Sequence, residues 1–193
     1  EISGETLLSR QIERLMQSTT IDKLIIATST DKEDDDTAAC ANESGIDTVR
    51  GPLEDVLTRF QLALDNFPAE TVIRLTGDCP LTDPELIDVC VNEFHNSETR
   101  LDYLSNTLKP TFPDGLDVEV FSSETLQIAS KEATLSSQRE HVTPFIYSQP
   151  DRFKLKNHAQ DKDLSSLRWT VDQPEDLVFV RHIYQELYPS NNG

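Results

Sequence analysis

The chain has 193 residues, 36% of them hydrophobic, and its 35 acidic and 17 basic residues give a formal net charge of -18. A chain of this length can bury a sizeable core without needing disulfides. The negative charge opposes phosphate backbones and anionic membranes, so neither nucleic acid nor a membrane is expected as a partner.

Cysteine usage and hydropathy indicate the compartment. The three cysteines, Cys40, Cys79 and Cys90, are odd in number and form no Cys-x-x-Cys pair, which is typical of reduced thiols in the cytosol. No apolar run approaches the roughly 18 to 20 residues that span a bilayer, and no signal-peptide pattern is recognisable. We therefore expect a cytoplasmic protein.

The first half of the chain alternates helix-like and strand-like patterns, which predicts βαβ units and a mostly parallel sheet. In chain order, helices are predicted over 6–18, 37–44, 54–66 and 83–94, and strands over 23–28, 46–49 and 73–75. An α/β domain that begins on a helix is expected to have lost its first strand.

The second half is richer in strands, predicted over 102–106, 115–121, 153–158 and 167–171, before a last helix over 175–187. This change indicates a mixed sheet, so the expected fold class is α/β with a mostly parallel mixed sheet. The turn-rich loop from Lys109 to Gly115 could border a pocket or be an ordinary wide connection.

The most informative run covers residues 73–81, where an apolar strand ends in the turn Gly77-Asp78 and a proline follows. Open α/β sheets place ligand-binding groups at the carboxyl ends of strands, which makes Asp78 the first candidate site residue. Asp78 could instead hold its own turn by accepting hydrogen bonds from backbone amides.

A second run, over 167–177, repeats this design around Asp172. Two aspartates presented in this way suggest one divalent cation, because Mg²⁺ is commonly held by one or two carboxylates together with substrate phosphates. The alternative for Asp172 is local: with Pro174 and Glu175 after it, the residue could cap the last helix.

Two further segments carry groups suited to a sugar. Asp117 and Glu119 alternate with apolar residues and share one strand face. If that face lines a cleft, they would accept hydrogen bonds from sugar hydroxyls; otherwise they face solvent. Arg139, Glu140 and His141 lie together; Arg139 could bind the carboxylate of an acidic sugar or form a surface pair with Glu140. His141 is more often structural than a base.

Taken in order, these segments resemble the cytidylyltransferase family that includes acylneuraminate cytidylyltransferases, and most closely its spore-coat polysaccharide type. The matching stretches are residues 25–31, 50–57, 74–80, 113–121, 139–147 and 167–177. The resemblance implies a Rossmann-like three-layer sandwich of the nucleotide-diphospho-sugar transferase type, with residues 1–193 as one nucleotidyltransferase domain.

The resemblance also implies a reaction. Members transfer CMP from CTP to a sugar, typically an acidic one, release pyrophosphate, use Mg²⁺, and are often homodimers. By matching motif, Asp78 and Asp172 would be catalytic and hold the metal. The substrate-binding residues would be Arg74, Gly77, Asp117, Glu119, Arg139, Glu140 and His141.

One departure from the family pattern concerns the start of the chain. The family opens with a strand and a basic, glycine-rich loop that grips the triphosphate, and residues 2–8 resemble the stretch after that loop, with Gly4-Glu5-Thr6 where Gly-Lys-Pro is common. The strand and loop are therefore expected to be missing from residues 1–193. The alternatives are a glycosyltransferase or other nucleotidyltransferase on the same fold, or a non-catalytic binding module.

Overall fold

A computed structural model of the protein describes residues 1–191. The helices are α1 (Leu7–Leu15), α2 (Asp35–Glu43), α3 (Val56–Asn66), α4 (Pro84–His95), α5 (Ser123–Glu132), α6 (Ser136–His141), α7 (Pro144–Tyr147) and α8 (Pro174–Asn191). The strands are β1 (Ile25–Ser29), β2 (Asp47–Gly51), β3 (Thr71–Arg74), β4 (Tyr103–Ser105), β5 (Glu119–Ser122) and β6 (Leu155–Asn157). This alternation confirms the α/β fold class.

The described strands form two sheets. β1 and β2 pair in parallel, with Ile25 opposite Asp47, and the second sheet has the order β3-β5-β4-β6. In that sheet β5 runs antiparallel to both β3 and β4, whereas β4 and β6 are parallel. The mixed character predicted for the second half therefore comes from β5.

Helices cover both faces of the larger sheet, which gives three layers. Successive residues of a strand point to opposite faces. Accordingly Val120 packs in a core with α4 and Leu15 of α1, whereas its neighbour Phe121 packs in a second core with α3 and α5. Leu104 and Tyr103 of β4 divide between the same two cores.

Local sequence explains where several helices begin. The Thr6 side chain caps α1 by accepting a hydrogen bond from the Ser9 backbone N–H at 3.0 Å. Asp83 caps α4 by accepting from the Glu85 N–H at 2.9 Å, with Pro84 in the first turn as predicted. A side-chain acceptor at this position satisfies an N–H group that has no partner within the helix.

A third small core closes the molecule near the turn after β3. Ile2, Val180 and Tyr184 are buried together, so the start of the chain packs on α8. The Tyr184 hydroxyl donates to the Pro80 carbonyl oxygen at 2.9 Å, which ties α8 to the turn that carries Asp78.

Two predicted strands differ from the structure. Residues 167–171 form only an isolated bridge, between Arg168 and Asp114, and the strand predicted over 115–121 begins at Glu119. Before Glu119 the Asn106 side chain takes the place of a strand partner, because it donates to the Leu116 carbonyl oxygen at 2.7 Å and accepts from the Val118 N–H at 2.9 Å. Among residues 1–191, no helix combines the length and apolar character that crossing a bilayer requires.

Candidate active site

A polar cleft of about 330 Å³ opens at the carboxyl end of β3. It is lined by Arg74, Thr76, Asp78, Cys79, Thr107, Asp114, Asp117, Glu119, His141, Thr143, Tyr147 and Thr170. Of the residues predicted to form a site, Arg74, Asp78, Asp117, Glu119 and His141 are therefore brought together. We call this cavity the Asp78 cleft.

Asp78 is held at the rim of the cleft by the 170–171 segment. The Thr170 hydroxyl donates to Asp78 Oδ2 at 2.9 Å, and the Val171 N–H donates to the Asp78 carbonyl oxygen at 2.9 Å. Burial opposes ionisation, but hydrogen bonds from Thr76, Thr170 and Cys79 outweigh it and leave the pKa of Asp78 below its usual value. Asp78 is therefore an ionised, oriented carboxylate.

Asp172 lies next to Val171, so the structure brings the two predicted metal-binding aspartates into neighbouring segments. Its carboxylate, however, is ion-paired with Arg168 and half exposed, and Asp172 does not line the Asp78 cleft. The cap suggested for Asp172 and Glu175 is replaced by another, because Asp176 Oδ2 accepts from the backbone N–H of Asp172 at 3.0 Å. Arg168 and this backbone contact lower the pKa of Asp176 to about 2.

Gly115 allows the two loops around the cleft to touch. Its φ is +103°, and a Cβ atom added there would meet the Thr170 nitrogen at 2.6 Å and the Trp169 carbonyl carbon at 2.7 Å. Both neighbours are backbone atoms and cannot move aside cheaply. The absence of a side chain thus lets the segment that carries Asp114 and Asp117 pack against the one that holds Asp78.

A buried acid fixes the arginine of the cleft. Glu119 is 5% exposed, and its Oε1 accepts from the Tyr103 hydroxyl at 2.6 Å and from the Thr143 hydroxyl at 2.5 Å. Its Oε2 accepts from Arg74 Nη1. Burial next to Glu119 raises the pKa of Tyr103 well above its usual value, so the phenol remains a donor. Glu119 therefore orients Arg74, and most of its hydrogen-bonding capacity is already used.

Asp117 lies in the cleft among other acids, and its pKa is raised. Burial of the carboxylate, followed by the charges of Asp114, Glu119 and Asp78, raises its pKa to about 6. The residue still presents a substantial exposed surface to the solvent in the cleft. Asp117 can therefore accept a hydrogen bond from a ligand, unlike the saturated Glu119.

Arg139 is placed away from the cleft, which corrects its expected position beside a sugar. Its guanidinium binds Asp55 through Nε at 3.0 Å and Nη2 at 2.8 Å, and also donates to the Thr58 hydroxyl at 2.7 Å and the Ser130 carbonyl at 2.8 Å. All three guanidinium nitrogens thus have protein acceptors. The suggested surface pair with Glu140 is not formed either, because Asp55 takes that role.

The other two predicted residues of this segment, Glu140 and His141, differ in whether they line the cleft. Glu140 is exposed and outside the lining of the cleft, whereas His141 and Thr143 line it. Between them Val142 is fully buried with φ at +70°. A β-branched residue rarely adopts that conformation, and burial in the core is what holds it there.

Gly77 also lies outside the cleft lining, on the side of a neighbouring cavity. A Cβ atom added at Gly77 would meet nothing within 4 Å, and its φ is ordinary. The turn before Asp78 therefore does not require glycine.

Several lining residues were not anticipated from the sequence. Thr143 and Tyr147 approach the cleft only through tertiary packing. Asp114 could have been found, because the loop that contains it was already a candidate pocket border. Burial raises the pKa of Cys79 to about 12, so this lining thiol stays protonated.

The model of the family described as Cytidylyltransferase matches residues 1–186. The chain belongs to the cytidylyltransferase family. This confirms the family predicted from the sequence, and with it a nucleotidyltransferase lineage.

Two curated relatives extend the likeness. The chain is 37% identical over 179 residues to an uncharacterized protein of Methanocaldococcus jannaschii. The matched region covers 92% of this chain and 72% of that protein. It is 30% identical over 192 residues to the spore coat polysaccharide biosynthesis protein SpsF of Bacillus subtilis, and this match covers 96% of this chain and 78% of that protein. The spore-coat type predicted from the motifs is thus supported.

Several solved structures share the fold. A cytidylyltransferase of Leptospira borgpetersenii superposes with a TM-score of 0.93 at 28% identity, over 97% of this chain and 79% of that one. CMP:2-keto-3-deoxy-manno-octonic acid synthetase complexed with CTP gives 0.72 at 15% identity, over 97% and 91%. The manganese complex of Rv0371C from Mycobacterium tuberculosis gives 0.61 at 17% identity, over 94% and 89%. The last two show the fold alone.

The donor set of the cleft fits a hard divalent cation bound together with an anionic substrate. Asp78 supplies an ionised carboxylate in the same cleft as Asp114 and Asp117, and carboxylate oxygens are the ligands that Mg²⁺ and Mn²⁺ prefer. Within residues 1–191 no group of three or more His, Cys, Asp or Glu side chains is arranged to hold a metal alone. A cation here would therefore complete its coordination with substrate oxygens and water.

Proposed function

We propose that this protein transfers the cytidylyl group of CTP to a hydroxyl of an acidic sugar and releases pyrophosphate. The observation that carries the proposal is the Asp78 cleft, in which the ionised Asp78 faces the same cavity as the fixed guanidinium of Arg74 in a member of the cytidylyltransferase family. The neighbour bound to CTP, whose name contains an octonic acid, supports the choice of both substrates.

The reaction requires little covalent chemistry from the protein. The sugar oxygen forms a bond to the α-phosphorus of CTP, the bond from that phosphorus to the bridging oxygen breaks, and pyrophosphate leaves with the electron pair. The hydroxyl proton passes to solvent. Such a transfer depends mainly on positioning and on stabilising the charge of the phosphates.

The side chains of the cleft divide this work. Arg74, oriented by Glu119, presents its remaining donors to the sugar carboxylate, which planar guanidinium groups bind in bidentate fashion. Asp117 accepts hydrogen bonds from sugar hydroxyls. Asp78 faces the phosphate end, where an ionised carboxylate needs a cation between itself and the anionic substrate.

That cation would be Mg²⁺, held by Asp78, with Asp172 joining once its ion pair with Arg168 has exchanged. When bound, it would supply positive charge that offsets the phosphates of CTP. The need for it follows from the charges of the cleft, since four acids and one arginine line it. An anionic nucleotide would otherwise be repelled.

The cellular role follows the relatives. The name of SpsF refers to polysaccharide biosynthesis, and we propose that the activated sugar made here supplies a surface polysaccharide. The three cysteines of this chain are free, which suits catalysis in the reducing cytoplasm.

The test is pyrophosphate release from CTP with a panel of sugar acids, each paired with the neutral sugar that lacks the carboxylate. We expect release that needs CTP, a divalent cation and one acidic sugar together. Asp78→Asn should lower the rate by about 100-fold or more, the scale for loss of one preorganised electrostatic group. Its unchanged melting temperature would show that the fold is kept.

Matched outcomes decide between the alternatives. Release with the neutral sugar at an equal rate would remove the acidic-sugar assignment, and transfer from a nucleotide-sugar without pyrophosphate would indicate a glycosyltransferase. Equal activity of wild type and Asp78→Asn would remove Asp78 from the mechanism.

A further inference from the structure

Arg168 contacts three carboxylates at the point where two loops of the site meet. Its Nη1 lies 3.2 Å from Asp114 Oδ2, and its Nη2 bonds to Asp172 Oδ2 and lies 3.2 Å from Asp176 Oδ2. Its Nε lies 3.4 Å from Asp176 Oδ1. One positive charge is therefore shared by three acids, and one of them, Asp114, also lines the Asp78 cleft.

The backbone on both sides of Arg168 is held by hydrogen bonds. The Trp169 N–H donates to the Asp114 carbonyl oxygen at 2.7 Å. Further along the same segment, the Val171 N–H donates to the Asp78 carbonyl oxygen at 2.9 Å. The main chain is thus fixed beside the turn after β3, so that side-chain rotation is what can change which charged groups pair.

The three carboxylates differ in their other contacts. Asp176 Oδ2 also accepts from the backbone N–H groups of Asp172 and Gln173 at 3.0 and 2.9 Å, which caps the start of α8. The Asp176 side chain is 17% exposed, against 48% for Asp172 and for Asp114. Among the described residues, the Asp172 carboxylate has a hydrogen bond only to Arg168. Asp176 therefore anchors Arg168, whereas Asp172 can leave it without breaking another contact.

The pair between Arg168 and Asp172 is suited to exchange. Both side chains are nearly half exposed, and ion pairs at such positions are weakened by water and salt. A divalent cation carries twice the charge of a guanidinium and binds carboxylate oxygens directly. An arginine keeps its proton in proteins, so the exchange is controlled by the competing cation and not by titration of Arg168.

We propose that Arg168 is a positioning residue that competes with the divalent cation for Asp172 and so sets the cation affinity of the Asp78 cleft. In the cation-free protein, Arg168 neutralises Asp172, whose side chain stays outside the cleft lining. With a cation present, Asp172 exchanges Arg168 for it, while Asp114 and Asp176 keep the guanidinium paired. The inference rests on the proposed function, from which it takes the cation.

The experiment is a Mn²⁺ titration of the free 193-residue protein at constant ionic strength, with unbound Mn²⁺ followed by electron paramagnetic resonance. Arg168→Ala should bind Mn²⁺ about tenfold more tightly than the wild type, because the competing charge beside Asp172 is gone. The double variant Arg168→Ala, Asp172→Asn loses both charges of the pair. Its affinity should return to within about twofold of the wild type, as expected when the two positions act on each other.

Two control variants separate competition for Asp172 from other effects. Arg168→Lys keeps the positive charge and loses the planar fork, so its Mn²⁺ affinity should stay within about threefold of the wild type. Arg152→Ala breaks a similarly exposed ion pair, with Glu132 of α5, and changes the net charge by the same amount. Because solvent screens this surface charge, its Mn²⁺ affinity should stay within about twofold of the wild type.

A measurement on the wild type decides the question if Arg168→Ala does not fold. Nuclear magnetic resonance with isotope-labelled arginine reports each guanidinium, and Arg168→Lys identifies the Arg168 signal by its absence. Addition of Mg²⁺ should shift the Arg168 signal and leave that of Arg139, which is held by Asp55, in place. An Arg168 signal that does not respond to Mg²⁺ would contradict the exchange.

Other outcomes would overturn the proposal. An unchanged Mn²⁺ affinity of Arg168→Ala would remove Arg168 as a competitor. An equal gain in the double variant would show that Asp172 does not receive the cation, and an equal gain in Arg152→Ala would show a general effect of net charge. Pyrophosphate release by the wild type with an unchanged Arg168→Ala affinity would refute this inference and keep the reaction. Exchange at Arg168 without pyrophosphate release would keep the inference and refute the reaction.

Discussion

Two arginine–carboxylate pairs in this molecule do different work. Arg74 is paired with Glu119 in the Asp78 cleft, and among the described residues its guanidinium has a hydrogen bond only to that acid. Arg139 is paired with Asp55 and uses all three guanidinium nitrogens on protein acceptors. An arginine with free donors in a cavity is available to a ligand, whereas a saturated one holds elements together.

The sharpest way to break this comparison is Arg74→Ala. The change removes the proposed carboxylate contact and leaves Glu119 buried without its cation. We expect kcat/KM for the acidic sugar to fall about 100-fold, and the free energy of unfolding to fall by about 3 kcal/mol because the remaining charge is uncompensated. Steady-state kinetics and urea titration measure the two effects.

Arg74→Lys is the matched control, because it keeps the charge and loses the planar fork. It should recover most of the stability and little of the sugar affinity. A sugar KM that is the same in both variants and in the wild type would place Arg74 outside the substrate site.

Gly115→Ala tests the contact between the loops that build the cleft. The new Cβ atom would collide with the backbone of Trp169 and Thr170, in a conformation that side chains rarely adopt. We expect a loss of about 3 kcal/mol in the free energy of unfolding. Denaturant titration measures it.

Gly77→Ala serves as the matched control, since its Cβ atom would meet open space. It should change stability by less than about 0.5 kcal/mol. Equal stability of the two variants would show that the loops around Gly115 do not touch in solution.

Arg139→Ala sharpens the other half of the comparison. The change removes the hydrogen bonds by which Arg139 of α6 holds Asp55 and Thr58 at the start of α3. We therefore expect the free energy of unfolding to fall by about 2 kcal/mol. The KM for the sugar should stay unchanged in the variant at a temperature where it remains folded. A raised KM with unchanged stability would reverse the roles of the two arginines.

The smallest predicted effect concerns pH. Because the folded pKa of Asp117 is raised to about 6, the folded state binds more protons than the unfolded state between about pH 4 and 6. Stability from this residue therefore decreases as pH rises through that window. Asp117→Asn should be more stable than the wild type at pH 7, by about 1 kcal/mol after allowance for solvent screening, and equal to it at pH 4. Thermal melts at both values check this; an equal difference at the two values would contradict it.

The strand–turn pattern around Asp78 could be interpreted from the sequence alone because it is local. An apolar run, a Gly-Asp turn and a proline-led helix define the end of a strand within a few residues, and Asp78 lines the cleft at that end. The same pattern marked Asp172, but it could not show that the two segments meet or that Arg168 would occupy the Asp172 carboxylate.

Arg139 shows the limit of that reasoning. Its partner Asp55 lies 84 positions earlier in the chain, and nothing near Arg139 in sequence indicates the pair. Glu119 was predicted as a direct sugar contact for a similar reason, since its partners Tyr103, Thr143 and Arg74 all come from other elements.

The sequence by itself determined the fold class, the starts of α1, α2, α3, α4 and α8 to within two residues, the family and the aspartate at the end of β3, because periodicity, capping and turn chemistry act over a few residues. Only the tertiary structure decided which charges are free. It uses the hydrogen-bonding capacity of Arg139 and Glu119 on protein partners, and it leaves Arg74 and Asp117 facing a cavity. These outcomes depend on which distant side chains and strands meet, and that is set by packing of the whole core.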